Sequence, residues 1–536
     1  MVYDARRDRR LRIKRIGLTT DYFSNSQVVR KRVTPTTGGV VASQHRRAAE
    51  VGAAVLESGG DAIDAAIATS FALGVVEPWM SGIAAGGCMI LWRETEGKAY
   101  VVDYGMRSPQ ALDPRDYPLA PGGQAMDLFA WPLVHGDRNV QGATAVAVPG
   151  VVAGMALAHQ RFGRMPWREL VAPAVELASE GMLVDWYSGL LIASNARGLA
   201  ADPDAGAMFL EDGRWPILGT WTAFAEKRLE QKKLAATLEA IGREGAAALY
   251  GGDVGAAMAK DMREKGGSLS VEDLSTYRAH FAEPLQVRYR EGLVFAAPGF
   301  TGGPALAHAL ELLSQAKRPS YVEYTRALET AWTERLQQSG DREAPGAPAA
   351  CTTYFSIADR EGNLCAVTQT LLSIFGARVV SPSTGVLMNN GIMWFDPEPG
   401  KPNSLAPGKR CLGNYCPVVG ERRGGGRFAI GASGGRKIVG TVLQLVSFLI
   451  DYGMSLEEAF HRPRIDMSGT RPVIADMALA PEELHALEAV FPVRTARSTC
   501  FPYAFAVPAG VLREGGQNMG CTEIMSPWGD AVAERP

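Results

Sequence analysis

The sequence predicts an α+β fold. Three observations carry this. Apolar residues recur at helical spacing through most of the chain before residue 351. Period-two alternation between turn signals takes over after it. Glycine, 60 of 536 residues, clusters where the chain must turn tightly between elements.

In order along the chain, Ala48, Ala49, Val51, Gly52, Val55 and Leu56 form one apolar helix face, stopped by Gly59 and Gly60. Asp61 is placed to cap an Ala-rich second helix through Leu73, because its carboxylate accepts from the free N–H groups of a first turn. A small-residue turn over 82–87 leads into a strand pair, 89–92 and 99–104, around Glu96-Gly97-Lys98. Helices fit 152–162, 167–180, 232–244, 254–265 and 304–316. A strand at 285–289 precedes the last of these, and a helix over 324–338 follows it. Residues 339–350 lack apolar periodicity and read as an exposed loop. Beyond it come a strand at 353–358, a hairpin turn over 359–363 and a return strand at 364–371. Strands at 385–395, 416–420 and 427–430 and a helix over 438–452 complete the assignment.

Composition narrows the function classes. Hydrophobic residues make up 46% and charged residues 21%, ordinary for a soluble globular protein. Lys+Arg is 55 against 57 for Asp+Glu, a net charge of −2, which argues against a nucleic-acid partner. The longest apolar run, 439–450, is broken by Gly440, Thr441, Gln444 and Ser447 and is too short for a membrane span. Seven cysteines at no scaffold spacing point to reduced thiols and a cytoplasmic location. Residues 1–37 begin with Arg6, Arg7, Arg9, Arg10, Arg12, Lys14 and Arg15 and no apolar stretch follows. They read as a solvated tail rather than a secretory signal.

Three places carry candidate chemistry. Gly431-Ala432-Ser433-Gly434-Gly435 matches G-x-S-x-G between a strand and a helix. It reads either as the nucleophile elbow of a serine hydrolase, with Asp451 or Asp466 and His485 completing the triad, or as a glycine turn that presents backbone N–H groups. It is no phosphate loop, since Arg436 precedes Lys437 and no Ser or Thr follows. Cys351, Cys411 and Cys416 lack a neighbouring histidine, while His45, His308 and His461 suit packing or capping. No metal site is expected, and without GxGxxG no nicotinamide cofactor. Third, Cys351-Thr352-Thr353-Tyr354 starts a strand with hydroxyl residues just after the loop. It is either a Thr-rich strand start or an autocatalytic N-terminal nucleophile. Cleavage before a threonine frees an α-amine of pKa about 7.7–8.0, a base within reach of its own hydroxyl.

A collinear series of words decides among these. It runs Gly38-Gly-Val-Val-Ala-Ser43, Gly59-Gly-Asp-Ala-Ile-Asp-Ala-Ala66, Gly74-Val-Val-Glu-Pro78, Ser81-Gly-Ile-Ala-Ala-Gly-Gly87 and Val148-Pro-Gly-Val-Val-Ala-Gly154. It continues through Thr352-Thr-Tyr-Phe-Ser356, Gly385-Val-Leu-Met-Asn-Asn390, Pro407-Gly-Lys-Arg410 and Gly434-Gly435. From about residue 38 to the C-terminus the chain resembles the γ-glutamyltransferase (γ-glutamyl transpeptidase) family of N-terminal nucleophile hydrolases. The resemblance implies a four-layer αββα sandwich and a proenzyme that cuts itself. The large, mostly helical subunit would be 38–351 and the small, β-rich one 352–536. Together they would form one catalytic domain without metal or organic cofactor. Thr352 is then the nucleophile, Thr370 positions it, and the Gly434 and Gly435 N–H groups form the oxyanion hole, leaving Ser433 without a chemical role.

The same resemblance marks departures. Positions that hold the glutamyl α-amino group in the family carry Leu372, Gly391 and Trp394. The donor-gripping serine pair aligns with Gly413 and Asn414. The carboxylate-binding arginine aligns near Gly105, with Arg107 two residues on, and the segment from Phe395 to Pro407 is too short for the family's lid. Arg107, Asn414 and Trp394 are the candidates for substrate binding. The implied activity is transfer of a γ-glutamyl or related acyl group from a small-molecule amide to water or an amine. The alternatives are a family acylase acting on other amides, a Ser433 hydrolase and a non-catalytic binding homologue. Retention of Thr352, Thr370 and the Gly pair speaks against the last. The altered amino-group pocket favours amides other than γ-glutamyl.

Overall fold

A computed structural model describes residues 28–124, 131–220, 222–223, 226–339, 351–469 and 471–535. Residues 340–350 of the expected loop, and 1–27 of the basic segment, lie outside the described residues. The strands that matter for the site are β1 (Val40–Ser43), β2 (Gly86–Arg93), β3 (Lys98–Tyr104), β4 (His280–Ala282), β5 (Leu285–Tyr289), β6 (Gly292–Ala296), β7 (Cys351–Ala358), β8 (Leu364–Leu372), β9 (Val418–Glu421), β10 (Arg427–Ser433), β11 (Val507–Glu514), β12 (Gln517–Thr522) and β13 (Asp530–Ala533). They pair antiparallel into two sheets, in the orders β4-β3-β2-β8-β7-β1-β13 and β5-β6-β9-β10-β11-β12.

Side-chain alternation sorts each strand between two layers. On β8, Leu364 and Ala366 face the second sheet and pack with Ala429, Ala509 and Val511. Cys365 and Val367 face the other way, onto the helices α1 (Arg46–Glu57), α2 (Ala62–Val76), α3 (Val151–Phe162) and α4 (Trp167–Glu180), with α5 (Lys232–Glu244) behind α4. On β10, Phe428, Ile430 and Ala432 pack under α6 (Gly303–Leu313), α7 (Tyr321–Ser339) and α8 (Lys437–Ile450), while Ala429 faces the first sheet. The layers therefore run helix, sheet, sheet, helix, the αββα sandwich. Strands buried on both faces lack polar alternation, and β8 is buried throughout.

The expected helix starts match. Asp61 caps α2 with a full capping box, its carboxylate accepting from Ile63 and Asp64 N–H while Asp64 accepts from Asp61 N–H. The expected strand over 385–395 is different. It holds one bridge, Val380 to Leu387, and a 3-10 turn, Gly391–Trp394. Asn389 and Asn390 explain this. Asn389 Oδ1 accepts from the N–H groups of Ala147 and Gly391, and Asn390 Oδ1 from that of Ser373, so side chains occupy the donors a ladder would use. Among the described residues no helix is long and apolar enough to cross a membrane.

Candidate active site

Thr352 sits at the start of β7, opposite the β8 residues Thr370 and Leu371 across the ladder. The register slips there: Cys351 pairs with Leu372 but Thr353 with Gln369, so β8 carries one extra residue opposite Thr352. The slip brings the Thr352 and Thr370 hydroxyl oxygens 3.5 Å apart, both buried. Thr370 Oγ1 also accepts from the Leu372 N–H at 2.8 Å. Leu372 has φ +88, a left-handed conformation that costs a β-strand leucine on the order of 1–3 kcal/mol. That strain is held beside the hydroxyl pair.

β10 ends at Ser433 and α8 starts at Lys437, with Gly434 (φ +129) and Gly435 (φ +62) between. Neither glycine N–H donates a hydrogen bond among the described residues, which leaves two adjacent donors at the start of a helix. A Cβ at Gly434 would lie 2.9 Å from Ala506 Cα, so the loop is also closed to side chains. Lys437, the first residue of α8, is half-buried. Its ammonium donates to the carbonyls of Tyr503 (3.2 Å) and Ala504 (2.8 Å), and burial pushes its pKa down against the pull of Asp466.

Ser433 is tied into the wall. Its hydroxyl accepts from Gln44 Nε2 and faces the Val507 carbonyl at 3.5 Å. Asp451 accepts instead from Tyr289, Arg290 and Ser447, and no histidine bonds Ser433 among the described residues. The triad that the elbow motif requires is not assembled. Ser433→Ala is expected to keep at least about a third of wild-type kcat, because backbone donors survive the change; loss of all activity in that variant, with covalent labelling of Ser433 by a fluorophosphonate, would reinstate the serine.

Beside β7, Thr353 Oγ1 lies 2.8 Å from Glu77 Oε2 and 3.4 Å from Gln44 Oε1. Glu77 follows α2 in the Val-Val-Glu-Pro word and is fully enclosed. Burial pushes its carboxyl up to about 8, against the opposing hydrogen bond from Thr353.

The three departed positions come together. Leu372 and Trp394 share one buried apolar cluster with Met106, Leu412 and Tyr415, and Gly391 backs onto it. The Trp394 and Tyr415 rings are 5.8 Å apart. A Cβ at Gly391 would meet Ala147 Cβ at 2.7 Å and Met106 Sδ at 3.0 Å, and one at Gly105 would meet the Tyr415 hydroxyl at 2.8 Å. Asn414 is 2% exposed, and neither polar atom of its amide has a partner among the described residues. The neighbouring Gly413 carbonyl accepts from Arg335 at 2.6 Å. Burial holds that guanidinium's pKa down to about 10. Arg107 is grouped elsewhere: its backbone bridges Val148 and Arg410, and its charge acts with that of Arg410 on His280, whose pKa burial and both arginines push down. Cys411 and Cys416 are free buried thiols, and no group of three His, Cys, Asp or Glu among the described residues is placed to hold a metal ion.

The Gamma-glutamyltranspeptidase family model matches residues 48–351 and 327–490. The chain belongs to the γ-glutamyltranspeptidase family. As a member it is an enzyme. It is 35% identical over 487 residues to the Acylase ACY 1 proenzyme of Pseudomonas sp. (strain V22), covering 81% of this chain and 84% of that one. It is 30% identical over 496 residues to the Glutathione hydrolase proenzyme of Bacillus subtilis (strain 168), covering 81% of each. Its fold matches the crystal structure of cephalosporin acylase from Bacillus halodurans with a TM-score of 0.79, at 23% identity, over 97% of this chain and 100% of that one.

Within this family member, sequence reasoning passed over Gln44, Glu77, Thr353 and Tyr415. Glu77 and Thr353 stand inside quoted words, so their types were visible but not their partners. A glutamate directly after a buried Ala-rich helix was the one available signal. Nothing in the sequence links Gln44 to Ser433, 389 positions away.

Proposed function

We propose that the chain is a self-processing amide hydrolase of the acylase kind, with Thr352 as its N-terminal nucleophile. The carrying observation is the apolar cluster around Leu372, Gly391 and Trp394, beside the Thr352–Thr370 hydroxyl pair. Processing breaks the Cys351–Thr352 peptide bond. The Thr352 hydroxyl attacks the Cys351 carbonyl, the acyl group moves from nitrogen to oxygen and so frees the α-amine, and water then hydrolyses the ester to a Cys351 carboxylate and the free Thr352 hydroxyl. That amine then takes the hydroxyl proton as Thr352 attacks a substrate amide. The N–H groups of Gly434 and Gly435 receive the oxyanion, the leaving amine carries off the proton, and water or an acceptor amine releases the acyl group.

The two regions have a physical reason to stay together after cleavage. β7 and β8 of the small region lie between β2 and β1 of the large one, so separation would expose two long sheet edges and both cores. A small-molecule amide is the substrate class. A cytoplasmic location belongs to the same proposal, supported by free thiols at the described cysteines.

A substrate α-ammonium brought against this apolar cluster meets no carboxylate at the three departed positions, and its desolvation would cost several kcal/mol. A cation–π contact with Trp394 returns only about 0.5–2 kcal/mol. Apolar or aromatic acyl anilides are therefore expected to show higher kcat/KM than glutathione or γ-glutamyl anilide. Trp394→Asp is expected to move that ratio toward γ-glutamyl substrates by at least about tenfold. Kinetics of processed enzyme on the paired anilides check this, and a wild-type preference for γ-glutamyl anilide over every acyl anilide tested would overturn it in favour of a glutathione hydrolase.

A further inference from the structure

The hydrogen bonds around Thr353 contain a proton-counting constraint. Its hydroxyl has one proton and faces two acceptors, Glu77 Oε2 at 2.8 Å and Gln44 Oε1 at 3.4 Å. Gln44 Nε2 in turn donates to Ser433 Oγ and to the Val507 carbonyl at 3.0 Å, and Val507 pairs with Ser433 across β10 and β11. All four side chains are buried, where a donor or acceptor left without a partner is costly. If Glu77 is a carboxylic acid, every contact is satisfied in one direction: Glu77 O–H to Thr353, Thr353 O–H to Gln44, Gln44 N–H to Ser433 and to the Val507 carbonyl. If Glu77 is ionised, the Thr353 proton turns to the carboxylate and Gln44 Oε1 loses its donor.

The ends of this chain are the residues next to the reacting groups. Thr353 follows Thr352, and Gln44 reaches the paired Ser433 and Val507 next to Gly434, its bond to the Val507 carbonyl not depending on the Ser433 hydroxyl. The two groups lie on different sheets, and acyl transfer needs their separation held to a fraction of an ångström. We propose that Glu77, Thr353 and Gln44 are positioning residues, forming a directional hydrogen-bond chain that locks the nucleophile strand to the oxyanion loop and holds only while Glu77 carries a proton. The inference rests on the reading of Thr352 as nucleophile and Gly434 as oxyanion donor.

The surroundings of Glu77 suit that role. From β7 it meets Thr353. From the loop before β11 it acts on the phenol of Tyr503, whose hydroxyl partner is Tyr187 at 3.1 Å. No charged side chain among the described residues shifts its titration, which burial alone drives upward. The resulting pH dependence has a definite sign. The acid form is present below the raised pKa and lost as pH rises through it, so the lock opens on the alkaline side. The α-amine of processed Thr352 acts in the opposite sense, since it becomes a base only on losing its proton.

The test is kcat and KM on one acyl anilide from about pH 6 to about pH 10, for processed wild type, Glu77→Gln and Gln44→Leu, with the purified full chain of Thr352→Ala assayed beside them. Wild-type kcat is expected to fall above a pH of about 8 while KM stays nearly constant, because none of the three residues touches substrate. Glu77→Gln replaces the O–H donor by an N–H that does not titrate, and is expected to abolish the alkaline fall. Gln44→Leu is expected to lower kcat at least about tenfold at every pH, with KM within about twofold. An alkaline limb unchanged in Glu77→Gln, or wild-type kcat in Gln44→Leu, overturns the inference. Should Gln44→Leu fail to process, the Glu77→Gln profile alone decides. An active Thr352→Ala enzyme would instead remove the reading beneath it, whereas an inactive one beside unaltered Glu77 and Gln44 variants sinks the positioning chain alone.

Discussion

Thr352→Ala is expected to remain a single 536-residue chain and to lose amide hydrolysis by at least about 10⁴-fold. Both effects have one cause. The same hydroxyl would attack the Cys351 carbonyl during processing and the substrate carbonyl afterwards, and alanine leaves no oxygen for either. Thr353 cannot substitute, because its hydroxyl is held on the opposite side of β7 by Glu77 and Gln44. Wild type should run as two bands on a denaturing gel, the smaller beginning at Thr352 by N-terminal sequencing. Thr352→Ser, which keeps an oxygen, should process and retain part of the activity. An intact wild-type chain with full activity, or a smaller band beginning elsewhere, would sink the proposed nucleophile.

Gly434→Ala is expected to lower kcat by about 10²–10³-fold with a small change in KM, the signature of a lost oxyanion donor. The residue has φ +129, and its Cβ would press on Ala506 Cα, which is backbone and cannot rotate away. The loop must move, and with it the two N–H groups that donate no hydrogen bond among the described residues. Strain by itself is separated by Gly123→Ala. Gly123 has the same φ, +129, in open space, so that variant carries the conformational penalty without the clash or the site. If the two variants lose kcat equally, or Gly434→Ala keeps wild-type kcat, the assignment of the donor is wrong.

These two effects are large because they touch groups that no neighbour can replace. The apolar cluster is more forgiving. Leu372, Trp394 and Tyr415 share one cluster, so a change at any of them is partly absorbed by repacking and shows in substrate ratios more than in absolute rates. Gly391 is the exception, since the Ala147 and Met106 contacts leave no room for a Cβ.

Local chemistry was legible in the sequence by itself. The Asp61 cap, the hairpin turn over 359–363, and helices α4 and α5 at the expected boundaries all depend on groups within a few residues of one another. So does the Thr-Thr strand start, and so do the glycines that present backbone donors. Contacts between distant segments were decided only by the tertiary structure. The Asn389 and Asn390 side chains turn an expected strand into a bend because Ala147 and Ser373 lie beside them. The C-terminal strands β11, β12 and β13, absent from the sequence assignment, find their register against β10 and β1. Met106 packs toward the apolar cluster while Arg107, the next residue, belongs with Arg410 and His280, a choice of face that alternation leaves open until the partner strand is known. The chain from Glu77 through Gln44 to Ser433 is the furthest case. Its hydrogen-bonded partners lie 276 to 389 residues apart, and a buried hydroxyl or amide takes its role from the donors and acceptors that folding puts within reach.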